Sequence, residues 1–107
     1  MAINSKEKGK NGEIELAKVL REAGYKGARR SVQYSGANGD ADIVDAIPGI
    51  HIECKRVERL NLEAAFEQSA RDAKVGEIPV VMHRRNRKPW MITMKLDDFL
   101  PLLKRGE

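Results

Sequence analysis

The sequence has a single cysteine, Cys54, so it can close no internal disulfide and has no second thiol for a cysteine-based zinc site. That usage suits a reducing compartment. No apolar run nears the ~18 residues of a membrane span, and the stretch from Met1 to Lys8 lacks the apolar core of a signal peptide. A soluble, cytoplasmic protein with no membrane partner is expected. Nor does one sign of charge dominate: 20 Lys and Arg against 16 Asp and Glu leave +4, which permits a polyanionic partner without demanding one. At 41% apolar residues the chain is too hydrophobic for wholesale disorder, and 107 residues leave no room for a second domain. Residues 1–107 should form one folded unit.

What the sequence does carry is two periodicities. From the capping-type residues Asn4 and Ser5, with Glu7 three after Asn4, apolar residues at helical spacing run to Ala23, and Gly24 ends the pattern. At about 100° per residue, Leu16, Ala17 and Leu20 form the buried stripe, Glu13 falls at its centre and Glu15 on the far side. Arg30 to Tyr34 reads as a short strand and Ser35 to Gly39 as a loop. Asp42 to Ala46 and His51 to Lys55 read as two strands joined around Pro48-Gly49, an antiparallel hairpin. In the second, Ile50, Ile52 and Cys54 share one face, and His51, Glu53 and Lys55 the other. Asn61 to Lys74 is helical, with Leu62, Ala65, Phe66, Ser69 and Ala73 on one side and Asn61 as cap. Pro79 to Met82 and Trp90 to Met94 are strands that pair across a basic turn, Arg84 to Lys88. Asp97 or Asp98 caps a short terminal helix holding Phe99, Leu102 and Leu103, with Pro101 confined to its first turn. The expected class is α/β, a mixed central sheet of about five strands flanked by helices.

Glu13, Asp42 and the run Glu53-Cys54-Lys55 are the residues from which chemistry could be built. Singly, each has an ordinary reading. Glu-x-Lys on a strand is commonly a solvated pair, an Asp after Gly-rich sequence a turn residue, and a Glu in a helical stripe an edge position with its head in water. Their conjunction changes this. A hairpin sets Asp42 beside Glu53, and a helix packed over that sheet brings Glu13 to the same place. Three carboxylates cannot all stay ionised side by side without a cation, and hard oxygen donors with positions left for water suit Mg²⁺ or Mn²⁺. Lys55, on the same face as Glu53, would then hold or help deprotonate a water attacking phosphorus, or stabilise charge on the phosphate. Such a site would hydrolyse phosphodiesters.

In their order, Gly9-x-x-x-Glu13-x-Glu15-Leu16 in the first helix, Ser35-Gly36 in a loop, Asp42-Ile43-Val44 and Glu53-Cys54-Lys55 resemble the PD-(D/E)xK nuclease superfamily. Within it the resemblance is to the small archaeal-type Holliday junction resolvases, virus-encoded relatives included. It extends through the Trp90 strand and takes in Ile78-Pro79-Val80 and the basic turn. It implies a restriction-endonuclease-like core and Mg²⁺ as cofactor, with Mn²⁺ able to substitute. It also implies branched DNA as partner, a homodimer cutting two strands of a four-way junction symmetrically in recombination and repair, and a host's cytoplasm if the source is a virus. Carried over, Glu13, Asp42 and Glu53 match the acidic metal-site positions, Lys55 the catalytic lysine, and Ser35 a loop serine near the phosphate. Asp42 follows Gly39-Asp40-Ala41 and not proline, which makes Asp40 a rival; Asp42 is preferred because it directly precedes Ile43-Val44. A flap, nicking or repair endonuclease would share this site, and a DNA-binding accessory module would keep the surface without the chemistry.

The basic clusters supply candidate phosphate contacts, Arg29, Arg30, Arg56, Arg84, Arg85, Arg87 and Lys88, of which the turn at Arg84 to Lys88 is the best placed. Cys54, Met82, Met91, Met94 and Trp90 read as core, and His51 as a surface or hydrogen-bonded residue. Gln68 lies off the buried stripe of its helix, where the superfamily sometimes sets a polar residue near the metal.

Overall fold

Residues 5–31 and 41–104 are described by a computed structural model, residues 5–7 as backbone only. The expected Asn4 cap, the strand beyond Ser31 through Tyr34, and the loop with Ser35 and the rival Asp40 lie outside the described residues. The elements are α1 (Ser5–Glu22), β1 (Arg29–Arg30), β2 (Ile43–Val44), β3 (Ile50–Arg56), α2 (Leu62–Asp72), β4 (Ile78–Arg84), β5 (Met91–Thr93) and α3 (Leu96–Lys104). One sheet holds the strands in the order β1-β2-β3-β4-β5, with β3 and β4 parallel and the other neighbours antiparallel. This is the mixed α/β architecture expected from the sequence.

Local chemistry explains the elements that frame the site. The β2–β3 hairpin closes through Ile50 N donating to Ile47 O at 3.1 Å, with Pro48 and Gly49 in the corner positions and Gly49 at φ 80°. That is the turn for which Pro followed by Gly is suited, because only the second corner needs positive φ. Asn61 caps α2 by accepting from Ala64 N at 3.0 Å. Leu16, Ala17 and Leu20 of α1 bury against Ile43, Ile52, Cys54, Val80 and Met82, so the stripe on α1 and one face of the sheet form the main core. Each of the larger side chains, Leu16, Leu20, Ile43, Ile52, Val80 and Met82, contributes about 2 kcal/mol by leaving water. Gly12 lets α1 come close to the end of β3: a Cβ there would stand 2.7 Å from Arg56 Cβ. Helix α2 packs on β3 and β4, where Ser69 Oγ donates to Val80 O at 3.0 Å.

Three expectations need correction. His51 is not at the surface: His51, Ile52, Glu53 and Cys54 are all buried. A strand paired in parallel at the middle of a sheet has helices over both faces, so alternation no longer separates core from water. Helix α3 starts before Asp97, contains Pro101 and buries no residue; Phe99 and Leu103 are 41% and 58% exposed. Met91 of the short edge strand is exposed as well, whereas Met82 is core.

Candidate active site

The hairpin register opposes Ile43 to Ile52, and Asp42 N donates to Ile52 O at 2.9 Å, which carries the Asp42 side chain to the level of Glu53 and Cys54. Its Oδ2 accepts from Cys54 N at 2.8 Å. The approach of α1 at Gly12 brings Glu13 to the same region. A cleft of about 260 Å³ is lined by Glu13, Asp42, Glu53 and Lys55, joined by Lys8, Arg56 and Gln68. Residues 13, 42, 53 and 55, singled out in the sequence, therefore share one cleft. Gln68, on α2, also lines it.

The electrostatics of this cleft are those of crowded acids. Burial, followed by the Glu53 carboxylate and then Glu13, pushes the Asp42 carboxyl up to about 7, against the pull of the Cys54 N–H and Lys55. Burial also drives the Cys54 thiol far up, with the same carboxylates adding to it. Cys54 thus stays a protonated core residue and no nucleophile. Glu13 is drawn to Arg30 Nε at 3.2 Å. The acids share a cleft without forming a coordination sphere: among the described residues, no group of three or more His, Cys, Asp or Glu is set to hold a metal ion. The donor set nevertheless fits a hard cation of the magnesium type, which keeps several waters and takes one or two carboxylates. Asp42 and Glu53 could supply those, and a cation there would offset both the burial and the neighbouring charge that raise the Asp42 carboxyl.

Beside the cleft stands a group that sequence reasoning missed. Glu15, expected to face solvent, is half-buried and joins Arg84, Arg56 Nε at 3.3 Å and Trp90 Nε1 at 3.2 Å, with Arg84 stacked 5.8 Å from the Trp90 ring centroid. Its partners lie 41 to 75 positions along the chain, and no local spacing could announce them. Arg29 pairs with Asp45 at the surface. Arg85, Arg87 and Lys88 are exposed and make no ion pair among the described residues. Lys8 is a further cationic wall of the cleft that the sequence reading did not single out.

A mixed five-stranded sheet between helices, with an Asp on one hairpin strand and Glu-x-Lys on the next in a single cleft, is consistent with a PD-(D/E)xK nuclease core. The family described as "phage putative PDDEXK endonuclease" matches residues 4–105, and the chain belongs to it. Neither a curated protein nor a solved structure matches. Membership makes the protein one of an endonuclease family, and PD-(D/E)xK nucleases generally use divalent metals. No helix among the described residues is long and apolar enough to cross a membrane.

Proposed function

We propose that the protein is a Mg²⁺-dependent, structure-selective DNA endonuclease, a Holliday junction resolvase, in which Mn²⁺ can substitute. The observation that supports the nuclease reading is the cleft itself: Glu13, Asp42, Glu53 and Lys55, separated by up to 42 positions, line one cavity in a chain of an endonuclease family, while the preference for a four-way junction rests on the sequence resemblance. In this reading Asp42 and Glu53 hold the cation and Glu13 adds negative charge near it. The cation supplies Lewis acidity toward a phosphoryl oxygen. Lys55 holds the attacking water and offsets charge building on the phosphate as one P–O bond forms to that water, which gives up a proton to solvent, and the P–O bond to the leaving sugar oxygen breaks, that oxygen taking a proton from solvent. Ser35 keeps the phosphate-side role that the resemblance implies. Arg85, Arg87 and Lys88 meet backbone phosphates, and Arg29, Arg30, Arg56 and Arg84 hold spare guanidinium donors for the same purpose.

The reading includes a homodimer, and one surface supports it. Leu96, Phe99, Leu100 and Leu103 of α3 follow the i, i+3, i+4, i+7 spacing of a helix stripe, yet all are 41–64% exposed, beside exposed Met91 and Ile92 at the sheet edge. A stripe that faces water in one chain needs cover. A second copy fits: α3 carries Asp97 and Asp98 in its first turn and Lys104 in its last, so two antiparallel α3 helices oppose acid to base at both ends. Light scattering should give twice the mass of the 107-residue chain, and Leu100→Glu should return the monomer; a monomeric wild type refutes this part.

The activity is tested with labelled four-way junction, flap, nicked and linear duplex DNA, each with Mg²⁺ or Mn²⁺. Paired symmetrical cuts in the junction, faster than cuts in the other substrates, are expected. Preference for flap or nicked DNA would make the protein another PD-(D/E)xK nuclease, and binding without cutting of any substrate would make it an accessory module.

A further inference from the structure

Glu53 is 2% exposed and has Asp42 as an acidic neighbour. A carboxylate so placed needs a positive or donating partner, or it will not hold one ionised orientation. Among the described residues, the one basic side chain at ion-pair distance is His51, whose Nε2 stands 3.7 Å from Glu53 Oε1. His51 is itself 1% exposed, and its Nε2 has no hydrogen-bond partner among the described residues. Its Nδ1 stands 3.6 Å from Glu77 Oε1.

Glu77 is fixed in turn. Its Oε1 accepts from Lys74 N at 2.7 Å while its own N donates to Lys74 O at 2.9 Å, across a turn that needs Gly76 at φ 88°. A line of neighbouring groups therefore runs from the α2–β4 turn through Glu77 and His51 to Glu53. His51 does not line the cleft; it lines a separate cavity of about 530 Å³ behind the hairpin, whose wall includes Glu77. Whatever His51 does for the cleft it does through Glu53. An aliphatic side chain would fill the same position beneath α2 without the cost of burying an imidazole between two acids.

We infer that His51 is a positioning residue: braced by Glu77, its imidazole sets the orientation in which the Glu53 carboxylate meets the cleft. This rests on reading Glu53 as a cation-holding acid. Groups that orient a metal-site ligand from behind typically change metal affinity or activity by about 10–100-fold when removed.

The variants that test it separate the two ring nitrogens. The Gln amide nitrogen can replace Nε2, whereas the Asn amide nitrogen replaces Nδ1 and cannot reach Glu53. Mn²⁺ binding by calorimetry, and single-turnover cleavage of a labelled four-way junction, are measured for wild type, His51→Phe, His51→Gln and His51→Asn, with thermal melts of each. His51→Phe and His51→Asn should bind Mn²⁺ about 10-fold or more weakly and cleave correspondingly slowly, His51→Gln should recover most of both, and DNA affinity without divalent ions should not change. Equal Mn²⁺ affinity in His51→Phe and wild type, or losses that follow the melting temperatures with Gln no better than Asn, overturn the inference alone. A wild type that neither binds Mn²⁺ nor cuts any DNA removes the nuclease reading, and the inference with it.

Discussion

Replacing Asp42 by Asn should stabilise the metal-free protein, and by more at pH 8 than at pH 5.5. The Asp42 carboxyl lies at about 7 in the folded protein against 3.8 for an ordinary aspartate, raised first by burial and then by Glu53. The sign follows from where protons sit. Between 3.8 and 7 the folded state holds a proton on Asp42 that the unfolded state has released, so stability falls as pH rises through that window and levels off above 7. One pH unit inside the window is worth about 1.4 kcal/mol, so wild type should lose about 2 kcal/mol between pH 5.5 and 8 through this group. Asn cannot ionise and can keep the bond from Cys54 N, which is 2.8 Å long. Urea unfolding in EDTA at both pH values measures the difference. The two proteins should agree only below about pH 3.8; at pH 5.5 the variant should already be more stable by about 2 kcal/mol, and at pH 8 by about 4 kcal/mol. His51 is also raised, by Glu53 first, and adds its own loss with rising pH, but it does so in both proteins and cancels in the comparison. Saturating Mn²⁺ at pH 8 should reverse the order by stabilising wild type alone. A variant as pH-dependent as wild type, or less stable than it at pH 8, would refute the crowded-acid account.

Further outcomes follow from the same geometry. Lys55→Met should slow junction cleavage about 100-fold or more while Mn²⁺ binding, measured by calorimetry, is retained. Glu15→Gln leaves Arg56 and Arg84 without their shared carboxylate; because Glu15 is 34% exposed, solvent moderates the loss to about 1–2 kcal/mol in a urea titration. Changing Arg85, Arg87 and Lys88 together to Ser should weaken DNA binding in EDTA and reduce the slope of log affinity against log salt by about 0.9 for each phosphate no longer neutralised. An unchanged slope would take the turn out of the DNA-binding surface.

Much of this cleft was legible because it is built from local rules. Pro48-Gly49 announces the hairpin, the hairpin register puts Asp42 beside Glu53, and the 3.6-residue stripe of α1 places Glu13 on the core side. What was not legible depends on pairings between distant segments. The parallel pairing of β3 with β4 covers both faces of β3, so alternation in His51-Ile52-Glu53 suggested a solvent face that does not exist. Glu15 finds Arg84 and Trp90 at separations of 69 and 75 positions, for which no spacing rule exists. In α3 the sequence grouped Phe99, Leu102 and Leu103, whereas the exposed stripe is Leu96, Phe99, Leu100 and Leu103; periodicity gives a face without saying what lies opposite.

The central claim is that Asp42 and Glu53 together hold a divalent cation that DNA hydrolysis requires. Junction cleavage by wild type, Asp42→Asn and Glu53→Gln, each stripped with EDTA and then given Mg²⁺, measures it most directly, with junction binding recorded in parallel. Wild type should cut only after Mg²⁺ is returned, and both variants should bind the junction normally and cut it at least about 100-fold more slowly. Cleavage by wild type in EDTA, or by either variant at the wild-type rate, would contradict it.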